Sequence, residues 1–341
     1  MSGKLKKTAI LCLNIGTPDS PDKLAVKRYL KEFLSDPRVV DIPWISRKLL
    51  LNLFILPFRP KKSAEAYQAI WTKEGSPLLI ETQKFCDGLQ KSLGVSYDVL
   101  PAMRYGNPSL KEALIRVKDY TRVILFPLFP QYASSSTGSS LELCFKFFAE
   151  QNNVPALDVI APFYKQPSFI QALSKSFKEA VDFSSWDHLL MSYHGLPQRQ
   201  VQKSEKSGVK MCLQEGPCPE KNYEHFCYRG QSYETSRLLA KDLGLSLSQY
   251  TVSFQSRLGR TPWIKPYTDE VLKDLAEKGI KKLVVICPSF VADCLETLEE
   301  IGIRAKEDWL NFGGKDLKLV PCLNHSEDWV EACAAMIKEK K

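Results

Sequence analysis

The chain has 341 residues, 44% hydrophobic and 25% charged, and its 47 Lys and Arg against 39 Asp and Glu give a net charge of +8. These totals describe a soluble globular protein with room for two ordinary domains and exclude a disordered chain. The mild positive excess suits anionic lipid or a ligand bearing carboxylates. With no zinc-finger spacing, RRM-like aromatic motif or long basic run, nucleic acid is not an expected partner.

The first residues, MSGKLKKTAILCLNIGTP, start basic but lack a signal peptide's sustained apolar region and small-residue cleavage site. A reducing compartment is therefore expected, with the ten cysteines as free thiols or metal ligands. Cys12, Cys144, Cys287 and Cys333 fall in apolar-periodic segments and read as small core residues. TAILCLNIG (8–16) reads as a strand, and the turn signal TPDSPD leads into an amphipathic helix to about Leu34.

The run LLLNLFILPF, Leu49 to Phe58, is too short to span a bilayer and is flanked by Arg47, Lys48, Arg59, Lys61 and Lys62. Two readings fit it equally: a segment dipping into a membrane interface, or a buried helix capped by charges. Helices follow near 63–74, 78–92, 109–119 and 138–150, with strands at 97–104, 122–129 and 156–163. The second half repeats the rhythm, with strands near 188–193, 250–256, 282–288 and 317–322. Its helices lie near 168–181, 233–243, 268–278, 294–310 and 326–338.

Nearly continuous apolar strands alternating with helices predict an α/β chain of two doubly wound, Rossmann-like lobes with parallel sheets. The division is an N-terminal lobe at 1–165 with the apolar lip, and a C-terminal lobe at 166–341 carrying a cysteine-rich insert at 204–230 and the terminal helix, for which crossing back to the first lobe is the alternative. No GxGxxG or Walker loop is present, so dinucleotide and NTP binding lose their usual support. Ligands of such sheets bind beyond the strands' carboxyl ends, commonly in the crevice between lobes. His194 falls immediately after the strand HLLMSY, and Asp293, Glu296, Glu299 and Glu300 follow the strand KLVVICP. Glu296 and Glu300, four apart, share one face of a helix, where they carry a metal or protons or simply form a solvated acidic face at a helix start.

Six segments in order, LNIGTP (13–18), RYGNPS (104–109), FPLFPQYASSSTGSSL (126–141), SYHGLPQR (192–199), SFQSRLGRTPWIKPYTDE (253–270) and SFVADCLETLEEI (289–301), closely resemble the ferrochelatase family. The resemblance covers nearly the whole chain and implies two Rossmann-like lobes around a porphyrin cleft, with ferrous iron and protoporphyrin IX as substrates. It implies that His194 and Glu296 are the catalytic pair, with Asp293 and Glu300 beside Glu296 handling iron or the second proton. His194 is read as proton acceptor, with the role of first metal ligand as the alternative. By the same resemblance Ile15 meets a porphyrin face, Arg59, Tyr67 and Ser76 hold propionates or line the pocket, and Trp263 lies near the macrocycle. The lip at 49–58 then rests on a membrane surface, and the protein is expected in the cytoplasm on the inner face of the cell membrane. Two departures stand out: Arg304 where some relatives continue the acidic line, and Cys294 where some have histidine. Coproporphyrin III is the alternative substrate, and a non-catalytic porphyrin or haem carrier the alternative of a different class.

The stretch MCLQEGPCPEKNYEHFC (211–227) holds Cys212, Cys218 and Cys227. Some family members bind a [2Fe-2S] cluster at this place through four cysteines, and such clusters take four ligands. The fourth position here reads YRGQS, placing Ser232 where the family pattern has cysteine. A weakened cluster site, a zinc site using His225, or three unligated thiols all fit, in that order of preference.

Overall fold

The computed structural model describes residues 8–204, 216–218, 227–259 and 261–340. The first half runs β1 (Thr8–Thr17), α1 (Lys23–Ser35), α2 (Trp44–Leu49), α3 (Arg59–Ile70), α4 (Pro77–Leu93), β2 (Tyr97–Gly106), α5 (Leu110–Val117), β3 (Arg122–Pro127), α6 (Ser139–Ala149) and β4 (Ala156–Val159). The second runs α7 (Pro167–Ala180), β5 (His188–His194), α8 (Gln198–Ser204), α9 (Tyr228–Asp242), β6 (Tyr250–Gln255), α10 (Thr268–Glu277), β7 (Lys282–Ile286), α11 (Lys306–Asn311), β8 (Asp316–Leu319) and α12 (Glu327–Lys338). Two four-stranded sheets result, ordered β2-β1-β3-β4 and β6-β5-β7-β8. All pairings are parallel.

The apolar runs explain this directly. From Ala9 to Leu13 every residue of β1 is buried, as a central strand covered on both faces requires. Helices start where sequence offers caps: the Asp22 carboxylate accepts the Leu24 and Ala25 N–H groups, and Ser109 accepts that of Glu112. The four cysteines read as core residues are buried. Burial pushes the Cys144 thiol up to about 12 and those of Cys287 and Cys333 well above the ordinary range, so these thiols are inert.

The two halves are built alike bond by bond. Met103 N–H donates to Pro108 O at 2.8 Å, and Phe254 N–H to Pro266 O at 2.8 Å. Ile160 N–H donates to Leu125 O, and Val320 N–H to Val285 O; Ala156 N–H donates to Thr121 O, and Asp316 N–H to Lys281 O. From residue 121 to 170 each residue has a counterpart 160 positions later (125 and 285, 156 and 316, 160 and 320). In the sheets Asn14 pairs with Met103 and Tyr193 with Phe254, so Ile15 occupies the place in the first sheet that His194 occupies in the second.

Two compact units result: residues 1–129, 134–162 and 324–341, and residues 130–133 and 163–323. This corrects the division read from sequence, which put the terminal helix in the second lobe. α12 belongs to the first unit, where Trp329 stacks on Phe85 of α4 at 6.2 Å, while its counterpart α7 belongs to the second. Residues 130–133 join the second unit because Gln131 Nε2 donates to Thr235 Oγ1 and Tyr132 N–H to Gln231 Oε1, both on α9.

The helix expected at 294–310 is a second correction. Leu295–Ala305 is a π-helix, continued by α11, and Ser134–Gly138 forms its shorter counterpart before α6. A π-turn bonds residues five apart, and the Glu299 carboxylate accepts the Arg304 Nε–H with both oxygens at 2.8 and 2.9 Å. Arg304 is thus the partner of Glu299.

Candidate active site

In the second unit the carboxyl ends of β5, β6 and β7 gather His194, Trp263, Glu296 and Glu300. His194 closes β5 beside Gln255, its register partner on β6. Its main-chain N–H donates to Ser289 Oγ at 3.2 Å, which fixes the strand end. The half-buried ring has Trp263 at 6.5 Å and Phe290 at 6.3 Å. Its Nδ1 lies 2.6 Å from Gly195 O, and a carbonyl only accepts, so Nδ1 carries the proton. In the neutral ring Nε2 is then left with its lone pair.

Gln255 links this imidazole to the acids. Buried at the end of β6, it donates its amide to Glu296 O at 2.7 Å and accepts the Ser192 hydroxyl at 2.7 Å. One residue on, Ser256 donates its N–H and hydroxyl to the two oxygens of Glu300. Cys294 caps the π-helix: its sulfur accepts the Thr297 N–H, and Thr297 Oγ1 accepts the Cys294 N–H at 3.0 Å. Burial, then the neighbouring Glu296 carboxylate, pushes the Cys294 thiol well above its usual range, so it stays protonated. Cys294 thus caps the helix that carries Glu296.

Asp293 sits apart in role. Its Oδ1 accepts the Cys322 N–H at 3.2 Å and the Thr297 hydroxyl at 3.3 Å, which anchors the turn before the π-helix. Trp263 donates Nε1–H to Leu258 O at 2.9 Å, and its own carbonyl accepts from Gln198 and Tyr267. Among the described residues no three His, Cys, Asp or Glu side chains form a group able to hold a metal ion.

In the first unit Ile15, Tyr67 and Ser76 lie around the carboxyl end of β1. Ser76 is buried and shares a 2.9 Å hydrogen bond with Thr17 of β1. The Tyr29 hydroxyl donates to Gly16 O at 3.0 Å, and the Tyr67 ring stands edge-on to Tyr29 at 6.5 Å. Arg59 opens α3 and is partly exposed. The counterpart of Glu296, 160 positions earlier, is Ser136, so the first unit repeats the frame of the second without its imidazole or its acids.

The segment before α3 resolves one pair of sequence readings. Of the run 49–58, Leu51 and Leu56 are buried, whereas Leu49, Leu53, Phe54 and Phe58 are exposed, as are Trp44 and Ile45. It is an apolar surface, not a buried helix. Phe58, the most open of these, is 73% exposed. No described helix is long and apolar enough to cross a membrane.

Of the cysteine segment, Cys212 and His225 lie outside the described residues. Cys227 caps α9, its sulfur accepting the Gly230 N–H at 3.4 Å. Cys218 Sγ accepts from the buried Arg229 guanidinium at 2.9 Å, yet burial outweighs that charge and raises the thiol. Ser232 does not fit a cluster ligand: it is fully buried in α9 and its hydroxyl donates to Tyr228 O at 2.9 Å. The described residues thus offer two thiols, Cys218 and Cys227, and no fourth ligand.

Comparison with known proteins identifies the family. A family model described as Ferrochelatase matches residues 7–341. A protein named Ferrochelatase from Legionella pneumophila (strain Paris) is 49% identical over 334 residues, covering 98% of this chain and 99% of its own. One of the same name from Coxiella burnetii is 46% identical over 336 residues, covering 98% and 94%. Among solved structures, SirB from Bacillus subtilis with Fe3+ superposes with a TM-score of 0.54 at 12% identity, covering 98% of this chain and 95% of that one, a likeness of fold alone.

Proposed function

Since this chain belongs to the ferrochelatase family and inserts ferrous iron into a porphyrin to make haem, we propose that protoporphyrin IX is its porphyrin and that His194 and Glu296 carry the chemistry. Insertion removes two pyrrole N–H protons as Fe2+ takes their place on the nitrogens. The observation that carries the assignment is the His194 tautomer: with Nδ1–H held by Gly195 O, Nε2 is the open basic nitrogen and accepts the first proton. Glu296, whose main-chain carbonyl is held by Gln255, accepts the second proton or guides the metal. Glu300 extends this path outward, and Asp293, tied to Cys322, braces it. Trp263 contributes an apolar wall beside the ring of His194. In the first unit the same reading gives Arg59 a propionate partner, with Ile15, Tyr67 and Ser76 as apolar or lining contacts.

Porphyrin choice is tested by steady-state metallation of protoporphyrin IX and coproporphyrin III under the same anaerobic conditions. A kcat/KM at least about tenfold higher for protoporphyrin IX, roughly 1.4 kcal/mol in the transition state, is the expected result. A preference for coproporphyrin III overturns the assignment.

We propose further that the protein works in the cytoplasm against the inner face of the cell membrane. Trp44, Ile45, Leu49, Leu53, Phe54 and Phe58 present apolar surface, and Lys48, Lys61 and Lys62 are exposed beside them, the pattern of an interfacial anchor for anionic lipid. Sedimentation with vesicles containing anionic phospholipid is expected to fall several-fold for the double variant Leu53→Ser, Phe54→Ser, without loss of the folded state. Unchanged sedimentation rules out this anchor.

Cys212, Cys218 and Cys227 would give a [2Fe-2S] cluster three thiolates, leaving the fourth place to His225 or another group and not to Ser232. Such a centre would brace the segment after His194, because insertion moves no electron. An absorption spectrum of anaerobically purified protein is expected to show the visible bands of the cluster in substoichiometric amount. A colourless protein means that the segment holds no cluster.

A further inference from the structure

Ser256 is one of two described non-glycine residues in the left-handed region, at φ 65°. Serine is disfavoured there, because its Cβ crowds the following carbonyl. Elsewhere the described residues take up such angles mostly with glycine, as at Gly106 with φ 75° at the end of β2. A serine where glycine would fold more easily asks for a reason, and the site supplies one. The left-handed turn aims the Ser256 N–H at one oxygen of Glu300, 2.7 Å away, and the hydroxyl at the other, 2.6 Å away. A glycine keeps the first bond and lacks the second. The preceding residue, Gln255, holds the main chain of Glu296. Two consecutive residues at the end of β6 therefore pin the first turn of the π-helix, one by its backbone and one by its terminal carboxylate.

We propose that Ser256 is a positioning residue for metal delivery, holding the Glu300 carboxylate in one orientation with its remaining lone pairs available to the incoming divalent ion. This rests on the reading of Glu300 as part of the metal path. Partners that orient a ligand in this way change metal affinity about tenfold or more when removed.

The test compares Ser256→Gly, Glu300→Gln and the double variant in porphyrin metallation with Zn2+, together with thermal unfolding of each. Ser256→Gly is expected to raise the KM for Zn2+ about tenfold, leave the KM for porphyrin and the kcat within about twofold, and unfold no earlier than the parent. The double variant is expected to match Glu300→Gln alone, since without the carboxylate Ser256 has nothing to hold. A parental metal KM in Ser256→Gly, or effects that add in the double variant, overturns the proposal. If Glu300→Gln itself keeps the parental metal KM, the reading of Glu300 fails first and takes this inference with it. A raised KM in Glu300→Gln beside a parental Ser256→Gly sinks the inference alone.

Discussion

His194→Ala is expected to lower the rate of iron insertion by about a hundred- to ten-thousand-fold, the range contributed by a positioned general base. The size follows from what the ring does and from what the substitution spares. The contact that fixes the strand end runs from the main-chain N–H of residue 194 to Ser289 Oγ, and alanine keeps it. The bond to Gly195 O and the open Nε2 are lost together. Porphyrin binding, read by fluorescence of the bound macrocycle, should therefore change far less than turnover. If the variant metallates porphyrin at the parental rate, His194 is neither proton acceptor nor first metal ligand, and both versions of the mechanism fail.

The largest effect on stability is expected at α12. Trp329 is fully buried, stacks on Phe85 with planes 26° apart, and lies one residue before Val330, which packs over Gly88 of α4. A Cβ on residue 88 would stand 3.2 Å from Val330 Cγ2, so the two helices approach closely at this point. Trp329→Ala is expected to cost about 3–5 kcal/mol, a large part of the stability of an ordinary domain. The melting temperature should drop by several degrees, and limited proteolysis should cut between residues 320 and 327 as the helix loosens from the first unit. A loss below about 1 kcal/mol would mean that α12 is not part of that unit's core.

The strands were legible because a parallel sheet covered on both faces demands unbroken apolar runs, and TAILCLNIG and KLVVICP are such runs. The positions of His194 and Glu296 near the carboxyl ends of strands followed from the apolar runs, whereas the roles proposed for them come from the family resemblance and not from spacing. The home of α12 was not legible: an amphipathic pattern shows that Trp329, Val330 and Cys333 face a core but not whose core it is. The π-helix escaped because the pattern of LETLEEIGIRA also fits α-helical spacing, and only the main-chain bonding of the folded segment has the wider turn. Ser256 escaped because a backbone dihedral has no signature in a serine. Ser232 stood out as a departure from the cysteine pattern, but its bond to Tyr228 O belongs to the folded helix.

Insertion by this protein exchanges two pyrrole protons for one ferrous ion. The most direct measurement mixes purified protein, protoporphyrin IX and Fe2+ anaerobically in a weakly buffered solution with a pH indicator. Porphyrin emission and proton release are then followed together. Catalytic loss of porphyrin emission is expected, with two protons released per haem formed, a turnover that His194→Ala lacks. Porphyrin that binds stoichiometrically and keeps its emission, with no proton released, would contradict it and mark the protein as a carrier.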